Sequence, residues 1–210
     1  MKGLLLKEGY LVVKYCRTYL FIALVSALFS VVGEVNLFLI FYPCLLAGMI
    51  PLNLIALDER SRWDSYSDTM PVSRAQLVSA KYLIGLFCQG GILVLMGTMQ
   101  AIRMGLSGSF DRMTFLNLLF LLVSVSTISP SICLPFVFKL GAERGRMAYY
   151  FMIGFVVAVS FVAAKLVGED MGSVEIPGGN FFSGLLAAIG VLLFLFSWYL
   201  SIVFYKKREN

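Results

Sequence analysis

Residues 114–138 read TFLNLLFLLVSVSTISPSICLPFVF, a stretch without a single Asp, Glu, Lys or Arg. A helix of about 20 apolar residues crosses the hydrocarbon core of a bilayer. In lipid, only helices and closed barrels satisfy their own backbone hydrogen bonds. Five further runs have the same character: 18–33, 36–57, 82–102, 147–167 and 181–204. None alternates between apolar and polar positions, so each predicts a helix and not a barrel strand. The expected fold is therefore all-α: a polytopic integral membrane protein, one transmembrane domain over residues 1–210, with six spans. The first and second are joined by only Gly33 to Asn36, a tight hairpin. Composition agrees. Charged residues make up 14% of the chain, against about 25% in soluble domains, and 60% of it is hydrophobic.

The charges orient these spans. Lys and Arg collect on the cytoplasmic side of membrane proteins. With the N-terminus inside, 14 of the 17 Lys and Arg fall in cytoplasmic segments, and only Arg103, Arg112 and Lys165 fall outside. Of the 12 acids, 7 fall inside, which makes the inner side +7 and the outer side −2. Both termini are then cytoplasmic. The cytoplasmic loops are 58–81 and 139–146, and the external loops are 103–113 and 168–180. The net charge of +5 is thus a topology signal, not a footprint for nucleic acid.

Several chemistries are excluded. There is no His, which removes the commonest general base and zinc ligand. Cys16, Cys44, Cys88 and Cys133 form no CxxC pair and read as small core residues. Gly105-Leu106-Ser107-Gly108 imitates an intramembrane protease signature, but no His can activate Ser107. The first apolar run follows a long charged lead and reads as a permanent span, not a cleaved signal. Ionisable residues within spans usually mark ion paths. The span centres hold none, which argues against a proton- or sodium-coupled transporter. Their polar residues are milder: Asn53, Gln89, Gln100, and the hydroxyls and prolines of SVSTISPSICLP, with Pro43 and Pro51 in the second span. Two readings stay open for these. They are helix glue and kinks, or a flexible element in which Gln89, Ser126 and Pro130 line a transport path. Gly85, Gly90, Gly91 and Gly97, and Ala23 with Ala27, predict close helix packing.

The cytoplasmic segment DERSRWDSYSDTMPVSRAQLVSAKY, 58–82, stands out between apolar runs. Read as a helix over 58–70, it puts Trp63, Tyr66 and Met70 on one face and Arg60, Asp64 and Asp68 on another, with an Arg60–Asp64 pair. Pro71 ends that helix. Ser73 and Gln76 then form a capping box, with Val72 and Leu77 placed as a hydrophobic staple. The new helix continues through Lys81 and Tyr82 into the third span. Two readings stay open: an interfacial helix in the headgroups, or a docking element that uses aromatic and Arg anchors. Before the first span, residues 1–17 predict an in-plane amphipathic helix with Leu4, Leu11, Val12, Tyr15 and Tyr19 on one face. Glu8 interrupts that face, and either snorkels to water or pairs with a base on a partner.

These residues resemble a known pattern. The 58–82 segment is similar to the first internal loop of small ABC type-2 exporter permeases. There an acidic residue, Trp, Tyr and a Leu/Met-Pro-Val-Ser-Arg run precede the Lys-Tyr that opens the third span. FKLGAERGR, 138–146, is similar to the run that opens their fifth span, and MKGLLLKEGYLVVKY resembles their lead. The group includes permeases of phenol-soluble-modulin exporters. The resemblance implies six spans, a second permease (identical or paralogous), and two separate ABC ATPase subunits that bind ATP and Mg. The chain itself would hold no cofactor or metal and carry no catalytic residue. Glu59, Trp63, Tyr66, Pro71, Ser73 and Arg74 carry over to a first coupling element, and Gly141, Glu143 and Arg144 to a second. Arg60, Arg62, Met70 and Lys139 lie in the same two segments and complete the candidate coupling set. The sequence has no GxxxxGK[ST] phosphate loop, so any ATPase is another chain. The expected function is the permease subunit of an ATP-driven exporter of an amphipathic or hydrophobic cargo such as a peptide, in a prokaryotic cytoplasmic membrane. The alternative is a non-transporting membrane scaffold or sensor that recruits a soluble partner.

Overall fold

The computed structural model describes residues 2–32, 37–67, 69, 72–106, 108, 111–145, 147, 149–151, 154 and 179–207. Among these, the regular elements are all helical: α1 (Lys2–Tyr15), α2 (Arg17–Val32), α3 (Leu37–Arg60), α4 (Trp63–Ser67), α5 (Arg74–Leu106), α6 (Arg112–Leu140) and α7 (Gly179–Lys207). Residues 142–145 are helical too and lead toward the expected fifth span. Most of 147–167, with Lys165 and the expected external loop 168–178, lies outside the described residues. So do the 33–36 link, Asp68, Met70, Pro71 and Ser107.

Among the described residues four helices are long and apolar enough to cross a membrane: α3, α5, α6 and α7. Within the described residues α2 has 16 residues, roughly 24 Å at 1.5 Å per residue, against a hydrocarbon core of about 30 Å. It passes as a span only together with α1, from which it is bent by 64° at Cys16. The third span is longer than its apolar core, because α5 begins at Arg74 as the capping signals require. Ser73 N–H donates to Gln76 Oε1 at 3.1 Å, and Gln76 N–H donates to Ser73 Oγ at 3.3 Å. Val72 and Leu77 share an apolar cluster with Leu4 and Ala80, so the staple forms as well. At the start of α6, Asp111 accepts from Met113 N–H, Thr114 N–H and the Thr114 hydroxyl.

The expected helix over 58–70 is two pieces. α3 runs on to Arg60, Ser61 and Arg62 form a turn, and α4 starts at Trp63. Arg62 has φ 51°, a left-handed conformation that stops the helix. The break turns Trp63 out of register with the end of α3. The expected Arg60–Asp64 pair falls on a side chain, Asp64, outside those described.

The core is assembled around α3. Ile40, Cys44 and Ala47 pack with Ala23, Ala27, Ile92, Met96 and Leu122, while Ile50 and Leu54 pack with Val12 and Cys16. Gly85 and Gly97 meet Pro51 and Leu119 closely, whereas among the described residues nothing lies within 4 Å of a Cβ built at Gly90 or Gly91. α6 packs most extensively on α7. Gly190 permits it, because a Cβ there would collide with Thr127 Oγ1. Outward, Phe21, Leu24 and Phe29 on α2 and Leu192, Leu195 and Phe196 on α7 are exposed, the apolar exterior that lipid requires.

Candidate functional site

Asp58 and Glu59 end the apolar run of α3, and the two carboxylates diverge. Glu59 reaches across the fold: its Oε2 accepts the Ala142 backbone N–H at 2.9 Å. Ala142 is the first helical residue after Gly141. Helix N-termini expose unpaired N–H groups and favour anions, so a carboxylate is the natural cap. Gly141 makes the turn at φ 91° and ψ 165°, a combination open essentially only to glycine. Its own N–H donates to Val137 O at 2.8 Å. The two loops that the sequence separates by some eighty residues are thereby hydrogen-bonded to each other.

Around this joint the candidate residues divide into two groups. Arg60, Arg62, Tyr66, Ser73, Lys139, Glu143 and Arg144 are exposed. Lys139 Nζ lies over the Phe204 ring at 5.3 Å. Arg74 is half-buried and Gly141 is buried. Trp63 and Tyr66 do not share an outward face. Their rings are 5.4 Å apart, but Tyr66 is exposed, whereas Trp63 packs inward against the cluster of Leu4, Leu77 and Ala80.

Asp58 points the other way, into a closed ring of alternating charge. Lys7 Nζ donates to Asp58 Oδ1 at 2.6 Å and to Glu8 Oε1 at 3.1 Å. Lys81 Nζ donates to Glu8 Oε1 at 3.3 Å and also pairs with Asp58 Oδ2. The side chains of Glu8, Asp58 and Lys81 are 3%, 6% and 8% exposed, and Lys7 is the rim member at 23%. Buried charges persist only when paired and hydrogen-bonded, and this ring neutralises all four. It joins α1, α3 and α5. None of these four residues belongs to the candidate set read from sequence. The signal for them was Glu8 itself. It lies on the buried stripe Leu4, Glu8, Val12, Cys16, not beside an apolar face through Tyr15, which is exposed. A carboxylate in such a stripe demands a base.

Gln89, Ser126 and Pro130 also come together. Proline has no N–H, so Pro130 leaves the carbonyl of Ser126 without its helical donor. Gln89 Nε2 on α5 donates to that oxygen at 2.8 Å. On the other side, Trp198 Nε1 donates to Ser79 Oγ at 3.1 Å, and the Tyr82 hydroxyl bonds Ser197 and Ser201 at 2.9 and 2.7 Å. The capped start of α5 is thus tied to α1 and α3 by charge and to α7 by hydroxyls and stacked rings.

A chain of long apolar helices, with two polar segments hydrogen-bonded to each other through Glu59 and Ala142, defines a multi-pass membrane protein. Residues 3–206 match the family described as ABC-2 family transporter protein, and this chain belongs to that family of transporter membrane proteins. No curated protein and no solved structure matches it significantly.

Proposed function

We propose that this chain is the permease subunit of an ATP-driven exporter, and that the exposed loop surface joined through Glu59 and Ala142 receives the ATPase. The carrying observation is that hydrogen bond. It makes one surface of two loops, so a partner that pushes either loop moves both. Two ATPase subunits, which bind ATP and Mg, close beneath a pair of permeases. The push on α4 and on residues 139–146 tilts the bundles between inward- and outward-open states as rigid bodies. α1 lies in the membrane plane, both termini are cytoplasmic, and the address is a prokaryotic cytoplasmic membrane. The cargo is amphipathic or hydrophobic, a peptide being the simplest case.

Tyr66 and Arg144 supply one exposed anchor from each loop. Purification of the partner ATPase with Tyr66→Ala/Arg144→Ala tests the assignment. Loss of interface anchors is expected to weaken binding by roughly 30-fold while the melting temperature stays that of the wild type. Full-affinity binding and normal export would show that these residues do not couple. Co-purification of a soluble partner without ATP hydrolysis would favour the scaffold reading.

A further inference from the structure

We infer that Lys7 is a positioning residue for α4: the N-terminal helix holds the coupling segment through one ammonium group placed between Asp58 and Trp63. The geometry stands by itself, and its consequence for transport rests on the permease reading above.

α4 spans five residues, far below the length at which a helix is stable alone. Its orientation must come from what it touches. Trp63 is its inward anchor, and that indole packs against a buried cluster of Leu4 from α1 and Leu77 and Ala80 from α5. Among the described residues its buried Nε1–H has no acceptor, so none of them fixes the ring by a hydrogen bond. What fixes it electrostatically is Lys7, whose Nζ lies 4.0 Å from the ring centroid. The same nitrogen is 2.6 Å from Asp58 Oδ1. One cation therefore bridges the ionic ring and the coupling segment, which makes the segment's position depend on α1. α1 in turn joins α2 at the 64° bend. Motion of α4 is then passed to α2 through α1, in parallel with the route from Ser73 into α5.

Lys7 suits this role better than Lys81. It is the rim member of the ring, and its removal leaves Lys81 paired with both Glu8 and Asp58. The core thus keeps its base while α4 loses its clasp. An exposed to half-buried cation–π contact of about 1 kcal/mol corresponds to roughly a fivefold shift in the docked-to-free balance of α4.

The test follows Trp63 directly. The chain has 2 Trp, and Trp198→Phe keeps a ring stacked on Tyr82, so Trp63 becomes the lone emitter. In that background, Lys7→Met is expected to raise acrylamide quenching of Trp63, and Lys7→Arg, which restores both charge and ring contact, is expected to return it. If Trp198→Phe lowers the yield, fluorotryptophan labels read by fluorine NMR resolve the two indoles in the otherwise natural chain. In the complex with its ATPase, Lys7→Met is expected to bind the ATPase yet move several-fold less cargo per ATP hydrolysed. Arginine should rescue that ratio, whereas Lys7→Met/Glu8→Gln, which rebalances the buried charge without restoring the ring contact, should not. Unchanged quenching in Lys7→Met overturns the inference whatever the ATPase does. Altered quenching with unchanged cargo per ATP removes α1 from the transmission route. A wild-type chain that binds no ATPase refutes the permease reading instead, and leaves the quenching result to decide the clasp.

Discussion

Replacing Lys81 by Met keeps the length of the side chain and deletes one charge from the ring. The site then holds Glu8 and Asp58, with side chains 3% and 6% exposed, against the single ammonium of Lys7. Each carboxylate loses one of its two bases, so two buried negative charges share one ammonium. Breaking a buried ion pair from one side costs about 3–5 kcal/mol, because the remaining charge is left without compensation. For a chain of this length that corresponds to a fall of roughly 10 °C in melting temperature. The sharper expectation concerns the double variant Lys81→Met/Glu8→Gln. It restores neutrality by leaving Lys7 and Asp58 at 2.6 Å, so it should recover about 1–3 kcal/mol of the loss. The second substitution would stabilise the first. A thiol-reactive dye in detergent reads the transition, since Cys16, Cys44 and Cys133 are buried and react only on unfolding. If Lys81→Met melts with the wild type, or the double variant melts below the single, the ring is not an internally neutralised unit and the reasoning fails.

Two further expectations concern backbone groups. Gln89→Leu should destabilise the bundle by about 1–3 kcal/mol by leaving the buried Ser126 carbonyl unpaired. Adding Pro130→Ala returns the helical N–H and should restore most of that loss. Failure of the rescue in the same melting assay would mean that Gln89 acts elsewhere. At the start of α6, the Thr114 hydroxyl, followed by the Met113 and Thr114 N–H groups, holds the exposed Asp111 carboxyl below its usual value of 3.8. A lowered folded value means that the cap is intact above the unfolded value and is lost as the pH falls through the folded one. Amide protection at Met113 and Thr114 should therefore fade below about pH 4 in the wild type, and show no such step in Asp111→Asn.

The start of α5 was legible because its signals are local. A capping box and a staple involve residues three to five positions apart, and Ser73, Gln76, Val72 and Leu77 bond as their spacing demands. The turn at 61–62 was not legible. Arg62 adopts a positive φ that no residue type there announces, and the pattern of 58–70 did not tell that Trp63 packs inward while its ring neighbour Tyr66 stays exposed.

The sequence by itself determined that this chain is helical and that it belongs in a bilayer. Those properties are additive along the chain: an apolar run is costly to leave in water, and a helix in lipid satisfies its own backbone. Only the tertiary structure decided which distant groups meet. Glu59 caps the helix beginning at Ala142, Gln89 supplies the donor that Pro130 lacks, and Glu8 pairs with Lys7 and Lys81. Each is a polar atom that burial leaves in need of a partner. The need can be read from its own segment, but the partner is set by how the helices pack.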